Sequence, residues 1–80
     1  MRELIYLIHY PDGGTQQSPR QLEYGVLVDV NGNTLDLPLS TSRMLAYRVF
    51  KITTEEGRNE TVRHYHLEQV YPDELKGYVG

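Results

Sequence analysis

Glu23-Tyr-Gly-Val-Leu-Val-Asp-Val-Asn-Gly-Asn-Thr-Leu-Asp-Leu37 is the stretch whose reading decides the fold class. Two short apolar-alternating runs flank Asn31-Gly32, and Asn-Gly suits the positive φ angles of a type I′ turn. With those two as the turn residues, Val30 faces Asn33, Val28 faces Leu35 and Val26 faces Leu37, which builds an apolar face. Asp29 then pairs with Thr34, and Asp36 with Leu27, on the other face. Moving the turn to Gly32-Asn33 would set Asp29 against Asp36, and like charges directly opposite destabilise a strand pair. The stretch therefore predicts an antiparallel hairpin.

Working outward, Glu3–Tyr10 reads as the first strand, with Leu4, Tyr6, Ile8 and Tyr10 on one face and Ile5, Leu7 and His9 on the other. Both faces are apolar, so this strand is expected to be covered on both sides. The cover for the second face would be the Pro11–Gln21 segment, the Tyr71–Val79 segment or another chain. Pro11-Asp12-Gly13-Gly14 stops the strand, and polar Pro11–Gln21 reads as the longest loop and the mobile one. Beyond the hairpin, Pro38 ends its second strand and Ser40-Thr41-Ser42 form a connector.

The segment Arg43–Thr54 supports two readings. Leu45, Ala46, Val49 and Phe50 would share a helix face capped by Ser42. The run Val49–Thr54, however, is β-branched and aromatic. A strand from about Leu45 is preferred, with no more than a helical turn before it. Glu55-Glu56-Gly57 then reads as a three-residue loop into a last long strand over residues 59–70. Leu45 would face Leu67, Tyr47 would face Tyr65 and Phe50 would face Val62. Tyr71–Gly77 reads as a short turn or 3₁₀ piece, with Tyr78-Val79 as a terminal strand.

The expected fold is all-β: one domain over residues 1–80, a small five-stranded antiparallel barrel or roll of SH3-like layout. An OB-like barrel with a short helix near residues 41–48 is the alternative. The layout carries no SH3 peptide-binding signature. The long loop lacks an acidic run, and the chain has no tryptophan.

Composition narrows the function classes. Without cysteine there is no disulfide and no thiolate metal site. The net charge of −3 gives no strongly basic footprint for duplex nucleic acid. Leu4–Ile8 is too short for a signal sequence or a membrane span, so a cytoplasmic protein is expected, with no membrane partner. Seven tyrosines suit half-buried strand positions and binding surfaces alike, because the ring is apolar and the hydroxyl polar.

Candidate sites are few. His64-Tyr65-His66 places two imidazoles on one strand face, a geometry that can begin a metal site. His9 is the only other histidine, and nothing in the spacing brings it near, so the pair reads as a solvated face beside Arg48 and Phe50. No metal and no cofactor are expected. Asp29 and Asp36 lie on one side of the hairpin and Glu55-Glu56 in a turn, and such solvated positions do not separate two carboxyl pKa values as acid–base catalysis requires. Ser18, Ser40 and Ser42 have no His–acid partner close in sequence. Gly13-Gly14 lacks the Gly-Lys-Ser/Thr that would follow in a phosphate loop.

The richest surface is the last hairpin, where Tyr47, Arg48, Lys51, Arg63 and Tyr65 interleave cations with aromatics. Two function classes follow. The first is a non-enzymatic binding or adaptor module that engages a protein partner or a second copy of itself. The second is a single-stranded RNA or DNA binder that uses those five residues. Side-chain direction separates them, because stacking needs Tyr47 and Tyr65 exposed.

Overall fold

In the computed structural model, which describes residues 3–80, five strands make one curled sheet that closes into a half-barrel. They are β1 (Glu3–His9), β2 (Thr15–Ser18), β3 (Leu27–Val28), β4 (Ala46–Glu56) and β5 (Glu60–Val70), in the order β2-β1-β5-β4-β3. A one-turn helix α1 (Pro72–Leu75) and a 3₁₀ turn (Lys76–Tyr78) finish the chain. The small all-β barrel or roll expected from sequence is the class adopted, and residues 41–45 form no helix before β4. One pair departs from the antiparallel expectation: β1 runs parallel to β5, with Glu3 beside Glu60 and His9 beside His66.

The central hairpin keeps its place but changes its turn. Val28 pairs with Thr34, one residue off the predicted register. Gly32 has φ +82°, but among the described residues none other than glycine has positive φ, so Asn31 cannot complete a type I′ turn. The loop is the three residues Val30, Asn31 and Gly32, closed by the Gly32 N–H on the Asp29 carbonyl (3.1 Å). Asp29 selects it: its carboxylate accepts the N–H groups of Asn31 (2.8 Å) and Asn33 (3.0 Å). A capping carboxylate of this kind mimics a backbone turn and outweighs the Asn-Gly preference. After Leu35, whose N–H still donates to the Leu27 carbonyl at 2.9 Å, the return leg leaves the sheet, so the predicted third strand is reduced to a bridge.

The predicted loop Pro11–Gln21 contains β2. Gly13, at φ +96°, lets the chain reverse, and the Asp12 carboxylate accepts the Gly14 N–H at 2.9 Å. Tyr10 and Gly14 then close the turn at 2.8 Å, and β2 runs antiparallel to β1. The last hairpin also shifts. Val49 faces Leu67 and Ile52 faces Tyr65, with a bulge at Phe50, and the turn falls at Arg58-Asn59 rather than at Glu55–Gly57. Core burial enforces this register, because it sets buried Val49 against buried Leu67 and buried Ala46 against buried Val70.

Cross-strand pairs share a face, so the ladders sort the side chains into two layers. One face of the sheet carries Ile8, Tyr65, Leu67, Val49 and Val28, with Leu22 from the crossing loop over them and Tyr6, Tyr10, Val26 and Tyr47 at their margin. The opposite face holds a second cluster at one end only, where Leu27, Ala46 and Val70 lie under Leu39 and Leu75. Tyr71–Val79 thus covers the end of β4 and β5, and leaves Ile5 and Leu7 of β1 outside both clusters.

Candidate functional site

The second face can be followed along the sheet from its covered end. Beyond Val70 and Ala46 comes Arg48, whose guanidinium donates to Glu68 (2.6 and 2.8 Å) and to Glu74 of α1. Those carboxylates, Glu68 first, hold the Arg48 charge firmly in place and raise its pKa. Past this ion group the face is open. Its rows are His9–His66–Lys51, Leu7–His64–Thr53 and Ile5–Val62–Glu55, each one residue from β1, β5 and β4 in turn.

All three histidines of the chain therefore meet. His9 Nε2 lies 2.7 Å from His64 Nδ1, so one ring nitrogen donates a proton to the other. The His9 and His66 rings stack, with centroids 4.8 Å apart and planes 15° from parallel. His64 Nε2 reaches the Glu55 carboxylate at 3.3 Å, and His66 Nε2 lies 3.2 Å from Thr53 Oγ1. The cross-strand neighbours of the histidines are thus Thr53 and Lys51, not the Arg48 and Phe50 expected from sequence. The expectation that His9 lies elsewhere is corrected by the parallel β1–β5 pairing. Nothing local in the sequence signals a contact 55 positions apart.

This cluster is an electrostatic unit. Burial lowers the His9 pKa, and His66 and His64 lower it further, because each added imidazolium repels the next. Burial also lowers the His66 pKa, followed by Lys51 and His64. These shifts favour the neutral form of His9 and His66. A tetrahedral metal would need its two ligating nitrogens about 3.3 Å apart, wider than this hydrogen-bonded pair. Among the described residues no group of three or more potential ligands is arranged to hold a metal ion.

The five basic and aromatic candidates do not form one surface. Tyr65 is fully buried, and its hydroxyl has no hydrogen-bond partner among the described residues. Tyr47 packs at the core margin, edge-on to Tyr10 with centroids 5.3 Å apart. Arg48 and Lys51 lie on the open face, whereas Arg63, which pairs with Tyr6 and Thr54, lies on the other. A stacking platform of Tyr47, Tyr65 and neighbouring cations is not assembled.

Sequence reasoning missed a more conspicuous feature, the free arm. The molecule measures 45 × 22 × 17 Å, drawn out along the β4–β5 hairpin. β2 pairs with β1 only from Tyr6 to His9, and β3 pairs with β4 only at Tyr47 and Arg48, with two further backbone bonds to Val49. Past Tyr6 the sheet is three strands wide, and level with Leu7 and Ile52 β2 flanks it on the β1 edge alone. Leu4 and Ile52 are exposed on one side, and Ile5, Leu7 and Val62 are half-buried on the other. Phe50 protrudes at the bulge where the arm begins.

Among the described residues no helix is long and apolar enough to cross a membrane. The chain belongs to a family described as uncharacterised Treponema protein, which it matches over residues 3–78. No curated protein and no solved structure matches it.

Proposed function

We propose that this chain is a non-enzymatic binding module of the cytoplasm that engages a protein partner through the open β1–β5–β4 arm. One observation carries the reading: Ile5, Leu7 and Val62 form a half-buried apolar patch on a sheet face that neither core cluster of the described residues covers. Fully burying such a side chain contributes about 1.5–3 kcal/mol, so the patch is a substantial reservoir of binding energy. Charged and imidazole side chains rim it, with Glu55 and Lys51 on β4 and the three histidines at one end. An apolar centre with a polar rim is the ordinary anatomy of a protein interface. The single-stranded nucleic-acid reading has no comparable support, because Tyr65 lies in the core.

Photo-crosslinking in the cell of origin tests the proposal. A benzophenone side chain at Leu7 should give a discrete protein adduct, and the same group at exposed Tyr24 on the hairpin side should not. Equal labelling from both positions, or none from Leu7, would refute it.

A further inference from the structure

The edge of the arm has a symmetry that points to a particular occupant. The β3–β4 ladder ends at Val49, and past it β4 runs from Phe50 to Glu56, a stretch of Phe-Lys-Ile-Thr-Thr-Glu-Glu whose midpoint is Thr53. An exposed edge of this length templates another strand. Proteins commonly guard such an edge with a lysine, and Lys51 would repel a second lysine set against it. Antiparallel pairing with an identical edge removes that repulsion in one register. Two-fold symmetry perpendicular to the sheet requires one residue to face its own copy, since facing residues must lie on the same side of the sheet. With Thr53 on the axis, Lys51 faces Glu55 of the second copy twice over, Ile52 faces Thr54, and the whole stretch beyond β3 is used. With Thr54 on the axis, Ile52 would face Glu56 and Lys51 would face Gly57. With Ile52 on the axis, Lys51 would face Thr53 and no opposite charges would meet.

We propose that two copies of this chain join edge to edge through Phe50–Glu56 of β4, antiparallel about an axis at Thr53. The inference rests on the reading of the β1–β5–β4 arm as a binding element and adds a second copy at its β4 edge, apart from the Ile5–Leu7–Val62 face. Pairing over seven residues makes about six to eight backbone hydrogen bonds. Opposite charges and Thr–Thr pairs directly across the strands set the register. Both histidine clusters emerge on the same side of the resulting ten-stranded sheet.

The test uses the full chain in analytical ultracentrifugation over a concentration series, with circular dichroism to verify folding. Lys51 is exposed, and the Glu55 side chain is 75 % exposed, so substitution at either leaves the core intact. Lys51→Glu alone and Glu55→Lys alone each set like charges opposite twice, and each should weaken the dimer at least tenfold. Mixing the two folded variants should restore a heterodimer, because Glu at 51 then meets Lys at 55 and Lys51 meets Glu55. A wild-type chain that stays monomeric at high micromolar concentration would overturn the inference. So would a dimer indifferent to both variants, or a mixture that fails to recover. A monomer whose Leu7 position still labels a foreign protein would sink self-pairing alone and leave the binding reading standing. Loss of the Leu7 adduct with the dimer intact would do the reverse.

Discussion

Replacing Gly32 by alanine isolates what the central turn contributes. Gly32 sits at φ +82°, and a left-handed backbone costs an alanine about 1–2 kcal/mol. Space adds to this. A Cβ built there would come 2.9 Å from Ile8 Cδ1, and 3.3 Å from both Tyr10 Oη and Gln16 Nε2. Ile8 is completely buried, so it cannot swing into solvent, and overpacking of this kind typically costs about 1–3 kcal/mol. Gly32→Ala should therefore destabilise the fold by about 2–5 kcal/mol. In a domain this small that corresponds to a fall in Tm of about 10 °C or more. Gly25 is the internal control. Its φ is +83°, but a Cβ there meets nothing within 4 Å, so Gly25→Ala should show the backbone cost alone. Urea unfolding of the three chains, followed by circular dichroism, gives the difference directly. Equal losses in the two variants, or a Gly32→Ala loss below about 0.5 kcal/mol, would refute the packing of the turn against β1.

Further expectations follow from the same contacts. The lowered pKa values of His9 and His66 make stability pH-dependent. The unfolded chain takes up these protons first, so stability is full above the ordinary value of 6.5. It falls as pH drops through 6.5 and levels off once the folded rings protonate. Urea midpoints measured across pH 8 to 5 should show this, and His9→Gln should flatten the profile. Tyr65→Phe should be neutral or stabilising by up to about 1 kcal/mol, because it removes a buried hydroxyl that has no partner among the described residues; a clear loss in the same assay would mean that the hydroxyl is bonded. Leu75→Ala should cost about 2–5 kcal/mol, since Leu75 is fully buried beneath the C-terminal turn, and a mild effect would show that this turn is not docked. Arg48→Met should cost about 1 kcal/mol, less at high salt, because Glu68 and Glu74 are partly exposed; amide exchange in α1 should rise with it.

The all-β class, β1, β4 and β5 could be read from alternation and β-branched runs, because those signals are local. The turn at Asp29 departs from the Asn-Gly rule because an aspartate carboxylate accepting the N–H groups of Asn31 and Asn33 competes with it over the same residues. The register of β4 on β5 depends on which apolar residues reach the core, and a bulge at Phe50 shifts the alternation midway along the strand. β2 is Thr-Gln-Gln-Ser, a sequence with no apolar alternation, and it becomes a strand because β1 offers an edge after a tight turn. The histidine cluster was hidden for a different reason. His64 and His66 were visible as a strand pair, but His9 joins them only through long-range parallel pairing, which no periodicity encodes.

That pairing also sets a schedule for folding. β4 and β5 are neighbours in the chain and can zip from Arg58-Asn59, but β1 has no seat until β5 exists. At ordinary synthesis speeds roughly 3–11 s separate the emergence of the first strand from that of its partner. Through that interval Leu4, Ile5, Leu7 and Ile8 leave the ribosome as a bare apolar strand with only the four residues of β2 to pair with. The molecule therefore completes its sheet last at the strand it made first, and any truncation short of β5 strands the N-terminus without a fold.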